Sequence, residues 1–349
     1  MNRLRYTAVI ATRNRPDALA LSVPLLQTQT DAPAEVVIVD SSDDPSPNAD
    51  LAQRLDGENG VAVRFFESAA GSAYQRMLGL AKVETGVVLF PDDDSLLFPD
   101  AMAHIMRAYA RDEAGVVGGV CAAEETTPPP ALQNTLQDAY RRRSSDSLRS
   151  RIALSRFALE ARFVPDVFPL IAERKQAKLP ALPDWLDEET AFPVPFMTGF
   201  RMSFRTEVIR EAGFNDKLGR YALFEDTDAC FRVLDSHHLI AAWNAKIYHH
   251  KAPARRAGGS ALGAMQILNR AYIVATSGEM DSQIRNRTLA FCRYKIFQYL
   301  LATSSQFGRD RFFGAKSAYP LAKRLLRDNE PAPDMQYLEA RRRIFGGAD

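Results

Sequence analysis

The stretch VVLFPDDDSLLFPD ends an apolar, strand-forming run, Val87 to Phe90, on three consecutive carboxylates, Asp92, Asp93 and Asp94. Like charges side by side raise one another's pKa unless a cation or solvent offsets them. An Asp-x-Asp pair at a strand terminus offers compact oxygen ligands fixed by a sheet, and it leaves positions open for water and phosphate oxygens. Those are the needs of a hard divalent cation such as Mg2+ or Mn2+. The competing reading is a solvated acidic turn in which Asp94 or Ser95 caps the helix that follows.

Three further groups bear on that choice. Asp40 closes the apolar run of VVIVDSSDD, where a carboxylate could accept hydrogen bonds from a nucleobase or ribose, or simply form a turn. FEDTD puts Glu225, Asp226 and Asp228 at the start of a helix. The helix dipole alone would favour acids there. Because Cys230, Phe231 and Val233 make an apolar face beside them, a carboxylate at this point could also be desolvated into a general base. In IYHHKAPARRAGG, His249 and His250 fall on opposite faces of a strand, so at most one serves a given site, as a neutral imidazole ligand or as a structural residue. Arg255 and Arg256, followed by Gly258 and Gly259, form a basic loop that could close on a diphosphate or remain solvated.

The elements that must position these residues follow from the hydrophobic pattern. YTAVIAT (Tyr6 to Thr12) and EVVIVD (Glu35 to Asp40) are short, nearly continuous apolar runs, as in parallel strands buried on both faces. Between them PDALALSVPLLQTQ has leucines at helical spacing, with Pro24 expected to interrupt it or start a turn. VAVRFFES reads as a third strand, AYQRMLGLAKV as a second helix and GVVLF as a fourth strand. The alternation predicts βαβ units and an α/β fold, a mostly parallel sheet with helices on both faces. Ligands bind beyond the carboxyl ends of strands in such sheets, which selects Thr12 to Arg15, Asp40 to Asp44, Gly71 to Arg76 and Asp92 to Asp94. Residues 126–196 are proline-punctuated and basic in places, and they read as an insertion or lid with some helix. After it TGFRMSFRTEVIREAGFND gives a strand and a short helix stopped by Gly213, FEDTDACFRVLDSHHL another helix, and IAAWNAKIYHH a late strand. The expected division is a catalytic domain over 1–255 and a helical C-terminal extension over 256–349, packed on it.

Composition excludes several classes. With 44 basic and 43 acidic residues the formal charge is +1, so no global field argues for a nucleic-acid or acidic partner. Cys121, Cys230 and Cys292 are far apart, as expected of free, packed thiols in a reducing compartment rather than of a disulfide framework. No stretch approaches the roughly 20 apolar residues of a membrane span. The expectation is a cytoplasmic protein, or one peripheral at the inner face of the cell membrane. The aromatic and basic C-terminal segment fits an anionic membrane contact, a helical cap or a homodimer contact.

Taken in order, AVIATRNRP, VVIVDSS, GSAYQRMLGLAKVETGVVLFPDDDSLLFPD, TGFRMSFRTEVIREAGFND, FEDTDACFRV and IYHH resemble the family 2 inverting glycosyltransferases of GT-A fold. The resemblance implies that Thr12, Asn14 and Arg15 form the first nucleotide-contacting loop and that Asp40 reads the base. It implies Arg76, Asp92, Asp93 and Arg255 near the nucleotide sugar, Asp94, Asp92 and His249 as ligands to Mn2+ or Mg2+, and Asp226, or else Glu225, as catalytic base. The implied reaction moves a sugar from a nucleoside-diphosphate sugar, a UDP-sugar first, to a saccharide or lipid-linked acceptor hydroxyl, in bacterial polysaccharide or glycoconjugate synthesis. A sugar-phosphate nucleotidyltransferase would need a glycine-rich loop after the first strand, and ATRNRPDA has no glycine. A non-catalytic nucleotide- or carbohydrate-binding relative is the remaining alternative.

Overall fold

In a computed structural model the described residues are 4–136, 164–219, 222–252, 257–327 and 332–346. They divide into two compact units, one of Met1–Ser145, Lys178–Phe214 and Ala229–Pro253, the other of Asp146–Ala177, Asn215–Asp228 and Ala254–Asp349.

The first unit is built on a nine-stranded sheet. Strands β1 (Tyr6–Thr12), β2 (Glu35–Asp40), β3 (Ala62–Glu67) and β4 (Val87–Phe90) pair in parallel in the order β3-β2-β1-β4. Alternation of side chains puts Ala8, Ile10 and Ile38 on one face, in a core with Leu19, Val23 and Leu26 of α1 (Pro16–Gln27). Val9 and Val39 take the other face, against α3 (Ser72–Leu80), where a Cβ on Gly79 would lie 2.2 Å from Val9 Cγ1. Helices therefore cover both faces. The expected break at Pro24 does not occur, since α1 runs on to Gln27. Burial of Val23 and Leu26 on either side holds the turn despite the missing N–H.

Beyond β4 the sheet becomes mixed. Strands β5 (Ser95–Leu97), β6 (Val117–Glu125), β7 (Ala191–Pro193), β8 (Met202–Arg205) and β9 (His238–His249) continue it as β4-β8-β6-β9-β5, and β7 also pairs with β9. The β4–β8, β6–β8, β5–β9 and β7–β9 pairs are antiparallel, and β6–β9 is parallel. The segment read as an insertion thus contributes β7 to the sheet. Helices α2 (Ser46–Leu55) and α4 (Ala101–Arg111) belong to the same unit, with the short α6 (Thr206–Ala212), which stops at Gly213 with φ 67°. The helix after the acidic triplet begins at Ala101, preceded by Asp100, so Asp94 and Ser95 do not cap it.

The second unit is helical. It holds α5 (Val167–Gln176), the start of α7 (Glu225–Val233), α8 (Gly259–Thr276), α9 (Ser282–Leu301), α10 (Gln306–Leu325) and α11 (Pro333–Phe345). Close approach of α8 and α10 depends on absent side chains. A Cβ on Gly263 would fall 2.0 Å from the Arg311 carbonyl oxygen, and one on Gly314 would fall 1.9 Å from that of Ser260. Cys121, Cys230 and Cys292 are all free and buried, as the sequence suggests. Among the described residues no helix is long and apolar enough to cross a membrane.

Candidate nucleotide and metal site

The acidic triplet forms a tight turn between β4 and β5. Ser95 N donates to the Asp92 carbonyl at 3.0 Å, and Ser95 Oγ accepts from Asp92 N at 3.0 Å and donates to Phe200 O at 2.7 Å. Those bonds occupy Ser95, which is why it joins a strand instead of capping a helix. Antiparallel pairing of β5 with β9 sets Ser95 opposite His249. His249 Nε2 lies 3.3 Å from Asp94 Oδ1, and its ring stacks on Phe200 at 4.5 Å. One ligand atom each from Asp92, Asp94 and His249 lie within 4.8 Å of one another. His250 donates its backbone N–H to the Asp94 carbonyl, at 3.0 Å.

Two arginines balance the charge. Arg15 pairs with Asp93 Oδ1, with Asp94 Oδ2 at 3.2 Å and with the Ala252 carbonyl. Arg76, almost wholly buried, reaches Asp92 Oδ1 at 3.0 Å. The triplet is not electrostatically uniform. Burial pushes the Asp93 carboxyl up to about 7, although Arg15 and the 2.8 Å hydrogen bond from Thr12 Oγ1 pull the other way. Burial also raises Asp94, but His249, Arg15 and the Ala252 amide at 2.9 Å together outweigh it and hold its carboxyl below the ordinary value. Asp94 is therefore the carboxylate kept ionised without a cation, while Asp93 turns inward to Thr12 and Arg15.

Along the rim, Asp40 is buried at the tip of β2. Its Oδ1 accepts from Ser42 N at 3.0 Å and Ser42 Oγ at 2.6 Å, whereas its Oδ2 is buried without a donor. A buried carboxylate oxygen without a donor is costly unless a ligand supplies one. Asn14 adopts φ 55°, and its amide side chain donates to Asp43 Oδ2 at 2.8 Å and accepts from Asp43 N at 2.9 Å. Gln75 of α3 ties the loops together by donating to the Thr12 carbonyl at 2.9 Å and to that of Val39 at 2.8 Å.

Residues 7–162 match the family model described as glycosyl transferase family 2. The fold is that of GT-A glycosyltransferases. Mannosyltransferase PcManGT from Pyrobaculum calidifontis, solved with GDP-Man and Mn2+, resembles it at TM-score 0.53 and 15% identity, over 100% of this chain and 89% of that one. S. aureus TarS, solved with UDP-GlcNAc, does so at TM-score 0.54 and 11% identity, over 98% and 90%. No curated protein matches the sequence.

On this glycosyltransferase fold, Thr12, Asn14, Arg15, Asp40, Arg76, Asp92, Asp93, Asp94 and His249 all belong to the first unit, at the ends of β1, β2, β4 and β9 or at the start of α3. Arg255 lies outside the described residues. Glu225 and Asp226 open α7 within the second unit, Glu225 buried and Asp226 half-buried, with Asp226 Oδ1 accepting from Thr227 N at 2.8 Å. Phe224 before them has φ 74°, a left-handed conformation that a bulky residue holds only under constraint. The constraint comes from α8. Asn269 donates to the Leu223 carbonyl at 3.0 Å, and the Arg270 guanidinium lies 4.8 Å from the Phe224 ring while pairing with Asp166.

Sequence reasoning did not single out Gln75, Phe200, Asn269 or the Ala252 amide. Gln75 lay within the selected Gly71 to Arg76 rim, but no local signal distinguishes a loop-tying amide from a solvated one. The others act through stacking, burial or a backbone N–H, none of which a residue type announces.

Proposed function

We propose that the chain is a metal-dependent inverting glycosyltransferase, taking a sugar from a nucleoside-diphosphate donor, UDP-sugars first, to a saccharide or lipid-linked acceptor hydroxyl in polysaccharide or glycoconjugate synthesis. The observation that carries the reading is the gathering of Asp92, Asp94 and His249 beyond the sheet's strand ends, with ligand atoms within 4.8 Å of one another. Two carboxylates and an imidazole suit Mn2+ or Mg2+, and Asp94 Oδ1 is buried with His249 Nε2 3.3 Å away. Bound there, the ion would neutralise charge on the donor's diphosphate.

The chain's own residues divide the remaining work. Asp40 Oδ2 accepts an N–H from the base, which favours uracil, and Asn14 with Asp43 shapes the loop beside it. Arg15 and Arg76 hold the carboxylates in place and keep the rim from becoming a field that repels a diphosphate. Asp226 takes the proton of the acceptor hydroxyl as its oxygen bonds to the anomeric carbon, and the bond from that carbon to the diphosphate oxygen breaks with its electron pair leaving on the nucleoside diphosphate. A single displacement inverts the centre, and one base suffices because the leaving group is stable as an anion.

The test is calorimetric. UDP or GDP binding to the wild type should tighten with Mn2+, whereas Asp94→Ala should lose that enhancement and retain at most weak, metal-independent binding. Equal stimulation in both proteins would remove Asp94 from the metal site. Absence of any nucleotide binding or nucleotide-sugar hydrolysis in the wild type would turn the reading toward a non-catalytic relative.

A further inference from the structure

Five of the nine large apolar side chains exposed among the described residues, Phe297, Leu300, Leu301, Phe307 and Phe313, lie in one stretch of 17 residues. They sit on the hairpin formed by α9 and α10. α9 buries Ile284, Phe291, Cys292 and Tyr299 yet also exposes Phe297, Leu300 and Leu301 at i, i+3 and i+4, so it carries apolar residues on two faces where a surface helix needs one. The connection between the helices is tight and fixed. Ser305 Oγ accepts from Gly308 N at 3.0 Å, and a Cβ on Gly308 would fall 1.9 Å from the Ala302 carbonyl oxygen. Leu301 is 72% exposed and Phe313 61%, so the end of α9 and the first turns of α10 present an apolar surface larger than isolated exposed residues would give.

Charge identifies the occupant. Over residues 282–325 the chain has nine Lys or Arg and one acidic residue, Asp310, a net +8 in a chain whose total is +1. The exposed cations are interleaved with the apolar residues. Arg293 stands one turn before Phe297, and Arg309 and Lys316 flank Phe313 on the same face of α10. Apolar anchors ringed by Lys and Arg are what a helical surface needs to lie in the headgroup region of an anionic bilayer. A self-complementary interface between two copies would bring these cations together, which like-charge repulsion disfavours.

We propose that the α9–α10 hairpin docks the protein on an anionic phospholipid surface, with Phe297, Leu300, Leu301, Phe307 and Phe313 entering the headgroup layer and Arg293, Arg309 and Lys316 meeting lipid phosphates. The docking is independent of the sugar-transfer reading and is tested without a nucleotide. The full chain should sediment with phosphatidylglycerol-containing vesicles and not with pure phosphatidylcholine, and 0.5 M salt should weaken the binding at least tenfold. Two variants separate the contributions. Leu301→Gln/Phe313→Gln and Arg293→Gln/Arg309→Gln/Lys316→Gln should each lower vesicle affinity at least tenfold while leaving the melting temperature within a few degrees of wild type, since all five residues are exposed. No association with anionic vesicles, or binding that both variants retain, would overturn the proposal. So would a concentration-dependent dimer in sedimentation velocity that Leu301→Gln/Phe313→Gln abolishes in a protein that ignores vesicles, because the face would then belong to a second copy.

Discussion

Asp93 and Asp94 are neighbours in sequence, and their carboxyl pKa values move in opposite directions. The Asp93 carboxyl is raised to about 7, chiefly by burial, against an ordinary value of roughly 4. A raised folded value means that the folded state binds this proton more tightly than the unfolded chain. The stabilisation is present in full below about pH 4 and is lost as pH rises through about 7. Asp94, held below its ordinary value against its own burial by His249 and Arg15, contributes in the other direction and only at lower pH, so the two windows do not overlap. In metal-free buffer the melting temperature should therefore fall between pH 5 and pH 8, and Asp93→Asn should flatten that slope. A slope unchanged in Asp93→Asn would assign it to another group. Spacing shows three acids in a row, but not which of them faces inward, because Thr12 and Arg15, which decide it, lie about 80 residues away in the chain.

At the scale of elements, Gly79 is where a helix and two strands meet. Alanine would favour α3 by about 1 kcal/mol through intrinsic propensity. Its Cβ would sit 2.2 Å from Val9 Cγ1 and 3.2 Å from Val39 Cγ2, in a core where β-branched side chains cannot rotate away. Overpacking costs about 1–3 kcal/mol, so Gly79→Ala should destabilise on balance, with a lower urea midpoint at unchanged m-value. An unchanged or higher midpoint would mean that α3 can slide on the sheet. The strands were legible in the sequence where burial on both faces makes an unbroken apolar run, as in β1 and β2, whose limits coincide with the expected ones. They were not legible where tertiary contact alone defines them. β6 contains Gly118 and Gly119, poor strand formers, because Cβ atoms there would meet His237, Leu239 and Met197 at 2.6–2.7 Å. β5 has three residues and exists by pairing with β9, about 150 positions later. α2 buries only Asn48, Leu51 and Ala52, too few to stand out from a polar loop.

For the whole molecule, the residues proposed to hold nucleotide and metal differ from the residue proposed to take the acceptor proton, so single substitutions should separate binding from transfer. Asp226→Asn is suited to this. The new amide keeps an oxygen for the Thr227 N–H, which Asp226 Oδ1 accepts at 2.8 Å, so the start of α7 and the conformation of Phe224 before it need not change. It removes the basicity. Loss of a positioned general base lowers turnover by roughly 100- to 10,000-fold. The expected outcome is unchanged affinity for nucleoside diphosphate with Mn2+, unchanged melting temperature, and transfer to acceptor reduced on that scale. The alternative base, Glu225, is buried at 5% exposure, so Glu225→Gln serves as the comparison. If Glu225→Gln abolishes transfer while Asp226→Asn retains it, the proton passes to Glu225, and the half-buried position of Asp226 reflects the preference of a helix N-terminus for acids. Loss of nucleotide binding in Asp226→Asn would instead make this residue part of the donor site, and binding and transfer would not be separable at this position.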